Sequence, residues 1–342
     1  MHEALYYTAL KNHQVQCHLC PHNCRIKPGA YGDCLVRMNH GGVLLSKVYG
    51  KVEAMNLDPV EKKPLYHFFP GHKILSVGTA GCNLRCPFCQ NHSLTQGGVT
   101  DRQPLHEFSP VELVELAKRT PHNIGLAFTY NEPTVNYEFM LSAAVNAKQE
   151  GLHTAMISNG YINPEPLSSL MGMMDAFNID LKAFNKLFYR KHCQGRLSPV
   201  LRTIKQIARS DSHLELTTLV IPGLNDDLQE FEQLCQWIAD ETGNSTVLHL
   251  SRYFPGYRLR LEPTPAETLF RMYDLAKNVL HHVYLGNLFV GDHGDTFCPH
   301  CNNKLIERNA YQVHPSGIDA SGNCQHCKTN VIKQHLYEHV DS

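Results

Sequence analysis

From about residue 73 to residue 288, short β-branched or apolar runs alternate with amphipathic segments. That alternation predicts βα units around a parallel sheet. The runs at 74–77, 124–129, 154–158, 176–181, 214–221, 247–251 and 283–286 give seven expected strands. The segments between them carry readable helix ends. Ser109-Pro110-Val111-Glu112 is a capping box with Pro at the first helical position, and Glu150-Gly151 is a helix stop. Further helices are expected from about 228 to 242 and from about 266 to 280. Seven strands are fewer than a closed eight-stranded barrel requires.

Composition sets the frame for these elements. A chain of 342 residues has room for one large domain with small appendages. The expected division is a Cys-rich module at 1–50, the βα region within 51–290, and a second small module at 291–342. Lys+Arg 31 against Asp+Glu 32 leaves a net charge of -1, so the basic footprint that drives nucleic-acid binding is missing. Met1-His2-Glu3-Ala4-Leu5-Tyr6-Tyr7 has no basic flank leading into an apolar run, and no apolar stretch approaches the roughly 18 residues of a membrane span. A cytoplasmic protein without a membrane partner is expected.

Eleven of the thirteen cysteines fall into three spaced groups, and in a chain read as intracellular such groups indicate metal sites rather than disulfides. The most informative is Cys82-x3-Cys86-x2-Cys89. Three thiolates on one loop can hold three corners of a [4Fe–4S] cluster and leave the fourth iron open for chemistry. The plainer reading is a zinc knuckle that borrows a distant ligand. Cys17, Cys20, Cys24 and Cys34, interleaved with Pro21, Pro28, Gly29 and Gly32, form a small metal-stapled unit suited to zinc or to a second iron–sulfur cluster; the alternative is a merely cysteine-rich turn region. Cys298-x2-Cys301 and Cys324-x2-Cys327 form a zinc-ribbon or rubredoxin-like pair of knuckles, with structural zinc favoured. His18, His22, His300 and His326 stand beside these groups, but Cys is the default ligand. Cys235 reads as helix core. Cys193, near the barrel mouth, reads as an ordinary loop thiol, the alternative being a thiol used on substrate, and Glu61-Lys62-Lys63 as a solvated charge run, the alternative being a contact with substrate or partner.

Polar groups cluster where the strands end. Thr129-Tyr130-Asn131-Glu132-Pro133, Ser158-Asn159-Gly160 and Asp180-Leu181-Lys182 close three successive strands. Singly, each is an ordinary turn or salt bridge. With the cysteine loop and Phe88 just before its last Cys, they resemble the radical S-adenosylmethionine (SAM) enzymes, in particular the pyruvate formate-lyase activating enzyme branch. Asp58-Pro59-Val60-Glu61-Lys62-Lys63-Pro64-Leu65-Tyr66-His67-Phe68, Cys89-Gln90-Asn91, Ile221-Pro222-Gly223-Leu224-Asn225-Asp226, His249-Leu250-Ser251-Arg252 and Leu285-Gly286-Asn287 narrow the resemblance to the radical SAM member of the AmmeMemoRadiSam system.

The resemblance implies an α/β open, partial TIM-type barrel with chemistry at the C-terminal strand ends. It implies a [4Fe–4S] cluster on Cys82, Cys86 and Cys89, with SAM held by Phe88, Gln90, Tyr130, Asn131, Glu132, Ser158, Asn159, Asp180 and Lys182. A low-potential electron donor of the flavodoxin or ferredoxin type, a protein or peptide substrate, and partner proteins of the AmmeMemoRadiSam system would follow. The competing function is an iron–sulfur and zinc redox protein without SAM turnover. Two segments depart from the family pattern: Arg252-Tyr253-Phe254 stands where activating enzymes carry a Tyr-His pair, and the tail at 331–342 lacks a Gly-Val-Trp type ending.

Overall fold

The computed structural model describes residues 2–97, 105–288 and 290–333. Its centre is an eight-stranded sheet in sequential order. Seven strands run parallel: β2 (Lys73–Gly78), β3 (Asn123–Phe128), β4 (His153–Ser158), β5 (Ala176–Asp180), β6 (His213–Val220), β7 (Val247–Arg252) and β8 (Val283–Gly286). These are the seven expected strands, shifted by no more than about two residues at any end, within the usual latitude of such boundaries. An eighth strand, β1 (Ala54–Pro59), pairs antiparallel with β2 and was not expected. The terminal strands β1 and β8 are not paired with each other, so the barrel is open.

Helices α1 (Pro110–Arg119), α2 (Tyr137–Gln149), α3 (Pro164–Met171), α4 (Leu197–Ala208), α5 (Leu228–Thr242) and α6 (Ala266–Lys277) connect the strands. The Ser109 side chain accepts from the Glu112 amide at 3.2 Å and Glu112 accepts from the Ser109 amide at 2.7 Å, completing the capping box. Helix α6 stops three residues before the expected 280.

The strands explain how one sequence serves two environments. Neighbouring residues of a strand face opposite sides. Leu126, Phe128, Met156 and Phe177 pack with helix residues Leu113, Met140, Leu170 and Ile204 in the main core. The intervening Ala127, Ala155 and Ala176 instead meet Val60, Leu65, Phe68 and Phe69. Small residues on the inner wall leave room for the segment between β1 and β2 to plug one end of the barrel. Asn178 Nδ2 donates to Pro64 O at 2.7 Å, and Glu215 accepts from the amides of Tyr66 and His67 at 3.0 and 2.7 Å.

This plug corrects the solvated reading of Glu61-Lys62-Lys63. Glu61 and Lys63 are 2% exposed, with Lys63 Nζ 2.6 Å from Asp58 Oδ2. Glu61 is pushed up to about 7, chiefly by burial, which Arg308 at 4.0 Å only partly offsets.

The two flanks attach differently. Residues His2–Glu3, Val43–Ser46 and Arg37–His40 form one small sheet, and Tyr7–Ala9, Val15–Cys17 and Arg25–Ile26 another. Val15, Leu19, Ile26 and Leu44 belong to the main core itself. Arg37, 1% exposed, pairs with Glu138 of α2. The strands Thr296–Phe297, Lys304–Asn309 and Gln312–His314 carry a separate small core of Leu305, Ile306, Ile318 and Ile332. Arg308 joins it to the plug, donating to Tyr66 O at 2.8 Å and lying 4.4 Å from the Tyr66 ring centroid. No helix among the described residues is long and apolar enough to cross a membrane.

Candidate active site

The chain leaves β2 and crosses the C-terminal end of the barrel as the cysteine loop. Gly81 makes the crossing at φ +92°, where a Cβ would sit 2.5 Å from Val36 Cγ1 and 2.8 Å from Cys34 O, so only glycine fits. Cys82, Cys86 and Cys89 then open on one cavity of about 590 Å³, within the usual size for a small-molecule site. Cys82 Sγ receives the Leu84 amide at 3.4 Å and Asn159 Nδ2 at 3.6 Å, and Cys89 Sγ lies 3.1 Å from Thr95 Oγ1. Burial pushes the Cys82 and Cys89 thiols up, while a hydrogen bond with Cys193, followed by burial, raises Cys86. Buried thiols of this kind ionise when a metal compensates the charge. They could therefore hold a metal cluster, and their donor set fits iron–sulfur ligation.

The nine residues singled out for SAM all line this same cavity. Several are committed to building the wall. Asn131 Oδ1 accepts from the Thr79 amide at 3.1 Å and its Nδ2 donates to Gly81 O at 3.0 Å, tying the end of β3 to the cysteine loop. Glu132 is 2% exposed and accepts from Thr134 N at 3.0 Å, Ser158 Oγ at 2.9 Å and Asn159 N at 2.8 Å. Its carboxyl is raised by burial, against the pull of those hydrogen bonds. Asn159 Nδ2 also donates to Asn83 Oδ1 at 2.9 Å. Tyr130, at φ +70°, donates through its hydroxyl to Asp58. Gln90 Nε2 donates to Phe254 O at 3.0 Å, and the Phe88 ring lies 5.9 Å from that of Phe188.

Lys182 Nζ lies 2.7 Å from Asp180 Oδ2. Burial alone would lower its pKa, but Asp180, Cys86 and Cys193 around it raise it well above the usual lysine value, so it stays cationic beside the cysteines.

Sequence reasoning missed several lining residues. Lys62 and Lys63 reach the cavity from the plug, held by Asp58 at 2.9 and 2.6 Å. Thr217, Leu219 and Ser251 line it too. A usable signal existed: each shares the inward parity of its strand with Glu215 or His249, just as Asp180 does with Asn178. Ser251 Oγ receives Asn287 Nδ2 at 3.0 Å. The departing segment turns elsewhere, with Arg252 donating to Thr264 O at 2.7 Å and Tyr253 to Leu259 O at 2.8 Å. Cys193 is fully buried against Cys86 rather than on an open loop. Cys235 is buried in α5, as expected. The tail beyond residue 333 lies outside the described residues.

The accessory cysteines differ in geometry. Cys298, Cys301, Cys324 and Cys327 bring all four sulfurs within 4.8 Å of one another, and among the described residues this is the only such group of three or more potential ligands. They could hold one metal ion. Cys17, Cys20, Cys24 and Cys34 instead line a small, partly open cavity together with Arg37 and Asn83.

The comparisons with known proteins agree with this architecture. The chain is 41% identical over 331 residues to the uncharacterized protein MJ0808 of Methanocaldococcus jannaschii, covering 96% of this chain and 98% of that one. It is 24% identical over 182 residues to the pyruvate formate-lyase 1-activating enzyme of Escherichia coli strain K12, covering 51% of this chain and 71% of that protein. Among solved structures, SuiB of Streptococcus suis bound to S-adenosylmethionine shares the fold at a TM-score of 0.51 and 11% identity, over 74% of this chain and 66% of that one. Residues 76–238 match the model of the radical SAM superfamily. With that match spanning β2 to α5 and the cysteine loop opening on the barrel cavity, the chain carries a radical SAM superfamily domain and is an enzyme of the radical SAM class.

Proposed function

We propose that Cys82, Cys86 and Cys89 ligate a [4Fe–4S] cluster and that SAM occupies the adjoining cavity, where Asn159, Asp180 and Lys182 orient it. When bound, the cluster and SAM together supply a 5′-deoxyadenosyl radical that takes a hydrogen atom from the substrate. The observation that carries this reading is the convergence of the three motif cysteines, their loop neighbours Phe88 and Gln90, and seven strand-end residues on one cavity of about 590 Å³. Lys182 contributes a fixed positive charge beside Cys86, which offsets the thiolate charge of a ligated cluster. Asn131 and Glu132 are positioning residues: they hold the cysteine loop and the β4 end at fixed separation. The plug, with Lys62 and Lys63, closes the cavity floor.

A protein or peptide is the proposed substrate class. Support comes from the relatives named as activating enzymes, those for pyruvate formate-lyase and for 4-hydroxyphenylacetate decarboxylase. A flavodoxin or ferredoxin type donor would deliver the electron, in the cytoplasm. Partners from the AmmeMemoRadiSam system are part of this proposal, supported by the motif resemblance. The tight C-terminal cysteines suit structural zinc. A redox protein without SAM turnover is not favoured, since such a protein has no need of a large cavity beside its cluster.

The test is electron paramagnetic resonance of the anaerobically reconstituted, reduced protein with and without SAM. A cubane signal that changes on adding SAM, and is absent when Cys86→Ala is introduced, is expected. The lack of any SAM-responsive signal in the wild-type protein would overturn the reading.

A further inference from the structure

The geometry points to a second four-iron cluster on Cys17, Cys20, Cys24 and Cys34, coupled directly to the Cys82 loop as its route for electrons. The four residues come from the end of one short strand, the bend and loop after it and the turn at residue 34, yet all line a single partly open cavity. Among the described residues their sulfurs do not gather into the kind of tight group that one zinc ion holds. Zinc–sulfur bonds of about 2.3 Å set tetrahedral sulfurs about 3.8 Å apart. The C-terminal group meets that spacing, with Cys298 and Cys327 sulfurs 3.5 Å apart and those of Cys301 and Cys324 3.6 Å apart. The N-terminal four form no such tight group of three or more ligands among the described residues. A cubane, in which each thiolate takes a different iron, requires wider separation.

Arg37 is an independent observation in favour of an anionic occupant. It is 1% exposed and lines the cavity, its Nη1 lies 3.4 Å from Cys17 Sγ, and its Nε is buried without a hydrogen-bond partner. A buried donor left over in this way is costly unless something accepts from it. A sulfide or thiolate of an anionic cluster is such an acceptor. The neighbouring histidines are engaged elsewhere: His18 Nε2 lies 3.0 Å from Thr8 Oγ1, and His22 Nε2 lies 2.7 Å from Asn83 O. The ligand set is therefore four thiolates.

The cavity also shares a wall with the active site. Asn83, next to Cys82 in sequence, lines it and carries the His22 hydrogen bond on its carbonyl. Cys34 packs in one apolar cluster with Ala80, and its carbonyl lies so close to Gly81 that a Cβ there would be 2.8 Å away. On the opposite side Cys20 and Cys24 are partly exposed. One electron from a low-potential flavodoxin or ferredoxin type donor thus enters near Cys24 and leaves near Cys34 to reduce the cluster on the Cys82 loop. No bond is made or broken and no proton moves in this step. The relay role rests on the proposed function above; the assignment of a second cluster does not.

The test uses the full chain, reconstituted anaerobically. The triple variant Cys82→Ala, Cys86→Ala, Cys89→Ala is expected to retain about four irons and four sulfides per chain and a reduced-state resonance indifferent to SAM. The pair Cys20→Ala, Cys24→Ala is expected to lose about four irons from the wild-type content while keeping the SAM-responsive signal. Zinc in place of iron in the triple variant, or no metal beyond the C-terminal site, overturns the assignment. If the triple variant does not fold, wild-type iron decides: about eight per chain supports the second cluster and about four overturns it. For the relay, a protein donor is expected to reduce the SAM-responsive cluster more slowly in the Cys20/Cys24 pair variant than in wild type, with dithionite reduction unchanged. Equal rates with the protein donor overturn the relay alone.

Discussion

The two four-cysteine groups at the ends of the chain look alike on paper and differ in three dimensions. The C-terminal knuckles draw their sulfurs together within 4.8 Å, around a small core of their own. The N-terminal group keeps its sulfurs apart around a cavity whose walls include Arg37, Asn83, Thr134 and Val135, so part of the barrel braces it. One group gathers its own sulfurs beside a core of its own, and the other is braced by the barrel. Spacing in sequence counts cysteines, whereas the distance between sulfurs, set by packing, selects the metal chemistry.

The largest effect expected from breaking this comparison is at the C-terminus. Replacing Cys298 and Cys324 together by Ala should remove about one zinc per chain and leave iron unchanged. Structural zinc sites contribute about 10–16 kcal/mol of binding free energy. Amides between residues 296 and 333 should therefore lose protection in hydrogen exchange while the barrel keeps its own. Unchanged protection there would mean that the Leu305, Ile306 and Ile318 core suffices without metal.

At the N-terminus, Arg37→Met should cost about 3–5 kcal/mol, because it leaves Glu138 buried and unpaired. The fall in Tm is expected to be partly recovered in Arg37→Met with Glu138→Leu. Iron at the N-terminal group should drop in both variants, with C-terminal zinc unaffected. Full iron retention would sever the link drawn between Arg37 and the cavity.

A smaller effect belongs to Asp58, which anchors Lys62, Lys63 and Tyr130. Burial raises its pKa, but hydrogen bonds from Lys63, Tyr130 and Lys62 outweigh it and hold the carboxyl down, from 3.8 to about 2. A folded-state value below the unfolded one means that the stabilisation is present above about pH 4 and is lost as pH falls towards 2. It amounts to at most about 2 kcal/mol, since burial of Lys63 lowers that residue's pKa and cancels part of the gain. Asp58→Asn should flatten the stability profile between those pH values, measured by denaturant unfolding. An unaltered slope would mean that the Lys62 and Lys63 contacts are energetically idle.

The smallest expected change is at Asn159. Its amide is already bonded to Asn83, and a net hydrogen bond of about 1 kcal/mol corresponds to a roughly fivefold loss of SAM affinity in Asn159→Ala. Titration of SAM against the cluster resonance measures it, and unaltered affinity would remove Asn159 from the SAM wall.

The seven parallel strands were legible because their β-branched and apolar runs are bounded by turn residues. Strand β1 was not: Asn56, Asp58 and Pro59 are poor strand formers, and its pairing with β2 supplies what the local sequence lacks. The strands of the N-terminal flank span two to four residues, too short for alternation to register. The cavity residues of the strand ends could be placed because a parallel barrel puts its chemistry there. The burial of Glu61 and Lys63 could not, since it depends on Arg308 from the far end of the chain and on Asp58 from an unrecognised strand. The same holds for Cys193, whose contact with Cys86 spans the loop after β2 and the turn after β5.

The central claim is tested most directly by incubating the reconstituted protein anaerobically with dithionite and SAM and assaying 5′-deoxyadenosine by chromatography. The account predicts 5′-deoxyadenosine from the wild-type protein and none from the variant lacking Cys82, Cys86 and Cys89. Its formation by that variant, or its absence from wild-type protein carrying a full complement of iron and sulfide, would contradict the account.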